Sequence, residues 1–288
     1  MQLAKDWTGD MKLTSANKRH VRLAINALGY DIQKSHSPEL GRDPFVDITK
    51  LTGSQSGLVV FDVGANVGQS IESFRNSLFL PEIHAFEPNR DIFGDLENKF
   101  AGTPGVHLNN FGLGASSGAR EFIVNTTSEM SSFLEPGTDW WGEIKRRDQV
   151  GMKTIDEYAL ERGLTGIDIL KSDTQGFNFE VLKGATRLLE EHKVHLINFE
   201  IIFSDMYEKL PRFDEVYAFL ADRGFVLVTF YKCYYQNNRL SWTDALFIDP
   251  RFKRSDLSKC PSRNRELFSA TGCGHRDDAS FTRRPRPA

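Results

Sequence analysis

The sequence has few cysteines, no long apolar run and no large excess of charge of either sign. Its three cysteines, at positions 233, 260 and 273, form neither a disulfide framework nor a CxxC metal pair, which predicts a reduced, cytoplasmic protein. No stretch approaches the roughly 18 apolar residues of a transmembrane helix, and the start of the chain lacks the apolar core of a signal peptide. A net charge of -3 is untypical of nucleic-acid binders. We therefore expect neither membrane insertion nor a nucleic-acid partner.

The two common glycine motifs for phosphate binding are also absent. The apolar run VVFDV is followed by Gly64-Ala-Asn66-Val-Gly68, so the glycines are spaced GxxxG. A dinucleotide-binding fold uses GxGxxG, whose middle glycine lets the pyrophosphate approach, and Asn66 occupies that place here. The motif GxxxxGK[ST], which binds nucleoside triphosphates, does not occur. These absences argue against NAD, FAD and nucleoside triphosphates as ligands.

Charge and composition divide the chain into three parts. Residues 251–288 carry ten Lys and Arg against four Asp and Glu, a formal +6, and are predicted to be a flexible basic tail. The rest of the chain carries 26 basic and 35 acidic residues, a formal -9. Residues 1–56 are predicted to form a helical N-terminal extension, with an amphipathic helix over 15–29. Residues 57–250 are predicted to be one domain.

Within residues 57–250, apolar strand-like segments alternate with amphipathic helix-like segments. The predicted strands cover 58–63, 82–88, 106–114, 167–173 and 195–203. This alternation is typical of βαβ units and a parallel sheet, in which the carboxyl ends of the strands share one edge and ligands bind there. Segments 225–235 and 244–249 are predicted to form an antiparallel hairpin at the sheet edge. The predicted fold class is α/β, with a mostly parallel seven-stranded sheet flanked by helices.

Residues 115–153 interrupt the alternation and are predicted to be an insert on the acceptor side. The segment holds one plausible strand, AREFIV, and then a long stretch without a clear helix, which is often functional. It carries Trp140 and Trp141, whose flat faces suit the apolar CH face of a sugar. The alternative is that these tryptophans close a small hydrophobic lid.

Two strand ends carry the residues that are expected to bind a ligand. Gly64 and Gly68 follow the first strand, where the absence of Cβ lets the backbone approach a ligand. Glu87 ends the second strand, where a carboxylate can accept hydrogen bonds from both hydroxyls of a ribose. A ribose-binding acid without a pyrophosphate loop suggests an adenosyl ligand without phosphates, and S-adenosylmethionine fits. The alternative is that the glycines only make a tight strand–helix turn.

Seven segments carry a resemblance to a known family. They are VVFDVGANVGQS, IHAFEP, NNFGLG, TIDEYALERG, ILKSDTQGFNFEVLKGA, INFEI and WTDALFI, over about residues 57–249. In this order they resemble the FkbM family of S-adenosylmethionine-dependent methyltransferases. The family usually has an apolar residue where this chain has Ser172, and Gln175 occupies a position that varies. The resemblance implies a class I Rossmann-like methyltransferase fold and methylation of a hydroxyl group on a sugar, polysaccharide, glycolipid or polyketide-type product.

The resemblance and the strand positions together suggest the site residues. The predicted cofactor-binding residues are Asp62, Gly64, Ala65, Asn66, Gly68, Glu87, Pro88, Asn110 and Asp173. The predicted catalytic residues are Asp173 and Glu200, which end two further strands at the ligand edge. The predicted acceptor-binding residues are Ser132, Trp140 and Trp141, and the acceptor is expected to be a small molecule or a glycan.

No resident metal is predicted, because the sequence shows no HxxxH or carboxylate–histidine spacing. The histidines in or beside strands, at positions 84, 107, 192 and 195, are expected to be packed or to lie on the surface. A divalent metal held by Asp173, Glu200 and the acceptor stays open, as does the oligomeric state. Two other functions also stay open: a nicotinamide-dependent sugar oxidoreductase and a non-catalytic module that binds S-adenosylmethionine.

Overall fold

The computed structural model describes residue 27, residues 40–53 and residues 55–254 of the chain. Of the helix predicted over 15–29, only residue 27 is described, and it is helical. Nearly all of the predicted basic tail lies outside the described residues. The first helix with described bounds, α1, covers Pro44–Thr52. It begins after Asp43, whose carboxylate accepts hydrogen bonds from the backbone N–H groups of Phe45 and Val46 and so satisfies donors that a helix N-terminus leaves unpaired.

A central, mostly parallel sheet forms the body of the protein. Its parallel strands are β1 (Val59–Val63), β2 (Glu82–Phe86), β3 (Val106–Asn109), β7 (Ile167–Ser172) and β8 (Val194–Ile202). The antiparallel strands at one edge are β9 (Val226–Phe230), β10 (Tyr234–Gln236) and β11 (Arg239–Ile248). The strand order is β10-β11-β8-β7-β1-β2-β3, with β9 also paired to β11. The predicted α/β fold class is therefore confirmed.

The sheet has eight strands rather than seven because the strand predicted over 225–235 is broken. Tyr231 leaves the strand and turns inward, where its hydroxyl lies 3.3 Å from the Asp47 carboxylate. The backbone N–H of Tyr231 donates to the carbonyl oxygen of Asp244 on β11. β9 and β10, on either side of this break, both pair antiparallel with β11, as the predicted edge hairpin requires.

Helices connect the strands and cover both faces of the sheet. They are α2 (Gln69–Ser77), α3 (Arg90–Phe100), α4 (Ile155–Glu161), α5 (Asn178–Lys183), α6 (Thr186–Glu190) and α7 (Phe213–Asp222). The sequence predicts one helix over 180–192, but it is divided into α5 and α6 near Gly184. A Cβ on Gly184 would overlap the carbonyl oxygen of Gly114, so this glycine permits close packing of the helix on the backbone at Gly114.

The insert at residues 115–153 forms most of a second, smaller sheet. Strands β4 (Gly112–Leu113), β5 (Gly118–Asn125) and β6 (Ile144–Lys153) pair in the order β4-β6-β5, and a short 3-10 helix covers Ser128–Met130. β5 confirms the predicted AREFIV strand, whereas β6 was missed. Its sequence, IKRRDQVGMK, is mostly charged and exposed, and only Met152 is buried, so it lacks the apolar alternation by which strands are recognised.

Two apolar clusters pack on opposite faces of the central sheet. Successive residues of a strand point to opposite faces, so Phe61 and Val63 contribute to one cluster and Val60 to the other. Asp62 shares a face with Val60 and is fully buried there. The central strands therefore carry charged residues inside the molecule, at the end where a site is predicted.

Candidate functional site

A cavity that is open to solvent lies at the carboxyl ends of the parallel strands, and the empty space within it and at its mouth is about 680 Å³. The walls come from the turn after β1, the end of β2, the β3–β4 segment, the insert and the turn after β7. The lining residues are Val63, Gly64, Asn66, Phe86, Glu87, Pro88, Asn89, Ile92, Phe111, Gly112, Leu113, Phe122, Ser128, Glu129, Ser131, Phe133, Asp173, Thr174 and Gln175. Four predicted cofactor ligands, Gly64, Asn66, Glu87 and Pro88, lie in this wall together with Asp173.

The turn after β1 is held in place by its neighbours on both sides. The backbone N–H groups of Gly64 and Ala65 both donate to the carbonyl oxygen of Phe86, each at 3.0 Å. Gly64 has φ +77°, and a Cβ at this position would overlap the carbonyl oxygen of Asp173. The sequence predicts this glycine from the approach of a ligand, but the close approach in the structure is to the protein's own backbone.

Four predicted cofactor residues lie outside the cavity wall and support it: Asp62, Ala65, Gly68 and Asn110. Gly68 has φ +88°, and a Cβ there would overlap the ring of Phe100 on α3. Ala65 is buried in the core. The side-chain amide of Asn110 donates to the carbonyl oxygens of Glu87 and Pro88, at 2.9 and 3.4 Å. These residues shape the turns that carry the lining residues.

Glu87 is the buried carboxylate of the cavity. Its Oε1 accepts from the backbone N–H of Asn89 at 2.8 Å, and its Oε2 accepts from the backbone N–H of Asn66 at 2.9 Å. Burial raises the pKa of Glu87 to about 7, although these two hydrogen bonds lower it. Each oxygen has two lone pairs, so each can accept one more hydrogen bond. The carboxylate is thus oriented and still able to accept a pair of hydroxyl groups.

Asp62 lies beneath the cavity and pairs with a lysine on the neighbouring strand. Lys171 of β7 is opposite Asp62 in the sheet register, and its Nζ lies 2.9 Å from Oδ1 of Asp62. Burial raises the pKa of Asp62 despite this lysine. Burial would lower the pKa of Lys171, but the charges of Asp62 and Asp173 outweigh it and the pKa is raised. Sequence reasoning missed Lys171, because a lysine within an apolar strand has no motif of its own.

Three carboxylates meet beside the cavity, on the sheet face of Asp62. Asp173 lines the cavity, and Glu200 lies opposite Asp244 in the register of β8 and β11. Burial raises the pKa of Glu200 well above its ordinary value, and the charges of Asp173 and Asp244 add to this. Burial raises the pKa of Asp244 to about 6. The structure therefore brings the two predicted catalytic residues into one group and adds Asp244, which lies in the WTDALFI segment.

Asp173 is held by a short chain of hydrogen bonds. The side-chain amide of Gln175 donates to Oδ1 of Asp173 at 3.1 Å, and the hydroxyl of Tyr207 donates to Oε1 of Gln175 at 3.1 Å. Burial raises the pKa of Tyr207, and the nearby charge of Glu200 raises it further, so the phenol stays protonated at neutral pH. Gln175 therefore positions the carboxylate that faces the cavity.

Ser132 is engaged within the protein rather than facing the cavity. Its Oγ donates to the carbonyl oxygen of Gln175 at 2.7 Å and accepts from the backbone N–H of Leu134 at 3.1 Å. The neighbouring Ser131 lines the cavity instead. Ser132 fastens the insert to the turn after β7, and its role in acceptor binding stays a prediction.

The two predicted tryptophans have different surroundings. Trp140 packs on a small apolar cluster that includes Met130, Met206 and Tyr207. The side chain of Trp141 is 40% exposed, and its ring centre lies 6.0 Å from that of Trp242. Trp140 is thus part of a packed unit, whereas Trp141 offers ring surface to solvent.

Trp242 connects this aromatic surface to the carboxylates. It stacks on Tyr234 with ring centres 4.8 Å apart, which gives a row of three rings with Trp141. Trp242 and Asp244 are two residues apart on β11 and so lie on the same face of the sheet. Sequence reasoning missed Trp242 and Tyr234 as site residues because only the pairing of strands brings them beside the insert.

The insert is fastened to the loop after β8 rather than free to move as a flap. The backbone N–H groups of Gly137 and Asp139 donate to the carbonyl oxygens of Met206 and Asp205. The Asp139 carboxylate also lies 2.6 Å from Nη2 of Arg239 on β11. The aromatic surface therefore has a defined position relative to the carboxylates.

The donor set of the cavity fits an adenosyl ligand. Oδ1 of Asn66 is buried in the wall and has no hydrogen-bond partner within the described part of the chain. Glu87 offers two free acceptor positions for ribose hydroxyls, and the apolar side chains of Phe86, Ile92 and Phe111 can flank a flat base.

Within residues 40–53 and 55–254, no helix is both long and apolar enough to span a bilayer.

Comparisons with known proteins agree with these features. A family model described as the methyltransferase FkbM domain matches residues 62–227. The hexuronic acid methyltransferase AglP of Haloferax volcanii is 32% identical over 149 residues, which are 50% of this chain and 54% of that protein. The chain therefore spans about half the length of the curated relative that it matches.

Solved structures with a similar arrangement include two methyltransferases. Precorrin-6y C5,15-methyltransferase of Geobacter metallireducens has a TM-score of 0.38 and 14% identity, covering 70% of this chain and 86% of that one. Magnesium protoporphyrin IX methyltransferase of Synechocystis, with bound S-adenosylmethionine, has a TM-score of 0.40 and 11% identity, covering 83% of this chain and 86% of that one. Likenesses at these scores add nothing to what the strand order shows by itself.

Proposed function

The chain belongs to the FkbM methyltransferase family, and we propose that it is an S-adenosylmethionine-dependent methyltransferase of class I fold whose acceptor is a hydroxyl group of a carbohydrate or glycosylated product. The observation that carries this proposal is the row of three aromatic rings, Trp141, Trp242 and Tyr234, of which Trp242 shares a sheet face with Asp244 of the carboxylate group. Aromatic faces pack on the CH faces of sugars, and carboxylates accept hydrogen bonds from sugar hydroxyls. The hexuronic acid methyltransferase of Haloferax volcanii supports a sugar-like acceptor.

The cofactor would be held by residues from three strand ends. We assign the ribose hydroxyls to Glu87, because its oxygens keep free acceptor positions. The unpartnered Oδ1 of Asn66 would accept a further hydrogen bond, and Asp173 lines the same wall. When bound, the cofactor supplies an electrophilic methyl group on a sulfonium centre.

The acceptor would lie between the carboxylates and the aromatic row. Trp141 and Trp242 would pack against the apolar face of the sugar, while Glu200 and Asp244 would accept hydrogen bonds from its hydroxyl groups. Holding the reacting groups in line contributes most of the acceleration, with effective molarities of about 10⁵–10⁸ M for well-oriented groups. This chain's contribution is therefore mainly to align one acceptor hydroxyl with the cofactor that the cavity would hold.

A carboxylate of the group would take the hydroxyl proton. Asp173 is the one that faces the cavity, so we assign it this step and give Glu200 the role of orienting the acceptor. The acceptor oxygen forms the new bond to carbon, the departing sulfur keeps its bonding electron pair, and the proton ends on the carboxylate. A positioned base contributes about 10²–10⁴ in rate.

An uronic acid offers two kinds of nucleophile, and the site's charge favours one. A substrate carboxylate would meet Asp173 and Asp244, and like charges disfavour its approach. A neutral hydroxyl meets no such repulsion. We therefore propose that the product is a methyl ether rather than a methyl ester. The nicotinamide-dependent oxidoreductase is not favoured, since the family match is to methyltransferases.

The test is methyl transfer from labelled S-adenosylmethionine to a panel of acceptors. The panel contains neutral oligosaccharides, uronic-acid oligosaccharides and matched alcohols without a ring, with the Asp173→Asn variant as the control for background transfer. We expect label in the sugars only, in a product that survives mild alkali. Label released by mild alkali would indicate an ester, and label only in non-sugar acceptors would overturn the proposal.

A further inference from the structure

Three potential metal ligands lie together on β2 and β3, at the end of the sheet away from the cavity. His84 and His107 are directly opposite in the register of these two strands. Glu82 is two residues before His84, so it projects from the same face. One ligand atom from each of the three side chains lies within 4.8 Å of the others. No sequence motif predicts this group, because the two histidines are 23 positions apart and are brought together only by strand pairing.

The buried histidine has one nitrogen that nothing satisfies. Nδ1 of His84 lies 2.9 Å from the hydroxyl of Tyr158. Its Nε2 is buried and has no hydrogen-bond partner among the residues that the structure describes. A buried polar atom without a partner is costly, so native proteins rarely leave one unless it has a function. The hydrogen bond between Glu82 and His107 accounts for those two side chains but leaves this nitrogen unexplained.

The state of His84 suits metal binding. A neutral imidazole carries its proton on one ring nitrogen and keeps a lone pair on the other. With the proton on Nδ1 and donated to the oxygen of Tyr158, that lone pair is on Nε2. Metal-bound histidines commonly donate their other ring nitrogen to an oxygen in this way, which fixes the tautomer and the ring orientation.

We propose that Glu82, His84 and His107 form a binding site for a zinc ion. Two imidazole nitrogens and a carboxylate are a donor set that Zn²⁺ accepts in tetrahedral coordination, with water in the fourth position. His84 is buried and provides a fixed ligand. The side chains of His107 and Glu82 are 38% and 45% exposed, so they can turn to bring their ligand atoms to the roughly 2.0–2.2 Å that zinc requires.

A zinc ion here would join two neighbouring strands of the sheet. The opposite ends of β2 and β3 lead into Glu87 and Asn110, on the cavity side. The zinc site is therefore separate from the residues assigned to methyl transfer. Its presence or absence does not depend on the proposed acceptor.

The test uses the full-length chain, stripped with a chelator, dialysed and then titrated with ZnCl₂ alone. The variants are His107→Gln and Glu82→Gln, which change only the two partly exposed ligands. The matched control is His192→Gln, which removes a histidine that also contacts a carboxylate, Asp249, but belongs to no group of three potential metal ligands among the described residues. Zinc bound by residues outside the described part of the chain is common to all four proteins and cancels in the comparison.

We expect the parent and His192→Gln each to bind one more zinc ion per chain than His107→Gln binds. Zinc should raise the melting temperature of the parent and of His192→Gln only. Glu82→Gln should bind that ion at least about tenfold more weakly, because the anionic ligand is lost. Co²⁺ in place of zinc should give visible absorption bands that His107→Gln lacks. Circular dichroism of the zinc-free variants checks that they are folded. Equal zinc content and equal cobalt spectra in the parent and a folded His107→Gln would overturn the proposal.

Discussion

Individual side chains in the cavity have tasks that their hydrogen bonds define. Glu87 is held by two backbone N–H groups and is buried, so its orientation is set before any ligand arrives. Its assignment to the ribose is a proposal, and it can be tested because a carboxylate and an amide of the same shape differ in the number of lone pairs and in charge.

Replacing Glu87 should weaken binding of both S-adenosylmethionine and its demethylated product. Glu87→Ala removes two charge-assisted hydrogen bonds, and the expected loss is about 3 kcal/mol or more in calorimetric affinity. Glu87→Gln keeps the shape and should lose less. An unchanged affinity for S-adenosylhomocysteine in a folded Glu87→Ala variant would remove this residue from the ribose site.

Cofactor affinity should depend on pH through the same side chain. Because burial raises the pKa of Glu87 to about 7, a proton competes with the ribose hydroxyls below that pH. If only the carboxylate form accepts both hydroxyls, affinity is full above pH 7 and falls as the pH drops, by about tenfold between pH 8 and pH 6. Calorimetry with S-adenosylhomocysteine measures this, and Glu87→Gln should abolish most of the slope. A slope that persists in Glu87→Gln would assign the titration to another group.

Structural elements act here as units: the turn after β1 and the aromatic row each combine contributions from several segments. In the turn, Gly64 approaches the backbone of Asp173, so β1 and β7 must close on each other before the cavity exists. In the row, β11 supplies Trp242 and the insert supplies Trp141. The turn and the aromatic row can therefore each be tested by substitutions of their own.

A side chain at position 64 should destabilise the fold rather than only block the cofactor. In Gly64→Ala the positive φ costs about 1–2 kcal/mol and the overlap with the Asp173 carbonyl adds about 1–3 kcal/mol. Gly163→Ala is the matched control, since Gly163 has φ +67° but an added Cβ meets nothing within 4 Å. Urea unfolding should show the larger loss for Gly64→Ala. Equal losses would mean that the Asp173 backbone moves aside at no cost.

Removing rings from the aromatic row should impair the acceptor step and leave cofactor binding intact. Trp141→Ala and Trp242→Ala are expected to lower kcat/KM for the true acceptor, by an amount that corresponds to a loss of about 1–3 kcal/mol in transition-state stabilisation. The affinity for S-adenosylhomocysteine should barely change. Trp140→Ala is expected to lower the melting temperature instead, because that ring packs on an apolar cluster. The exposed Tyr217 on α7 provides a control substitution, Tyr217→Ala. Full turnover in both Trp141→Ala and Trp242→Ala would remove the row from the acceptor site.

At the scale of the whole molecule, the strand order places β1 and β7 at the centre of the sheet, where Asp62 and Lys171 join them. Breaking a buried ion pair leaves one charge uncompensated, which is more costly than replacing both partners. Lys171→Met should therefore lower the free energy of unfolding by about 3–5 kcal/mol, and adding Asp62→Leu should restore much of the loss. Denaturant unfolding of the two variants gives the comparison; a Lys171→Met protein as stable as the parent would show that Asp62 takes up a proton without cost.

The sequence by itself determined the alternation of strands and helices, the family and the residues at the strand ends, because these are local: apolar periodicity, glycines before a helix and a carboxylate after a strand are read from neighbouring positions. Gly64, Asn66, Glu87 and Asp173 are of this kind, and all four lie in the cavity wall. The zinc ligands, Lys171 beside Asp62, and Trp242 beside Trp141 depend on strand register instead. Register joins positions far apart in the chain, and no local pattern records which of them will face each other, so only the tertiary structure decided these groups.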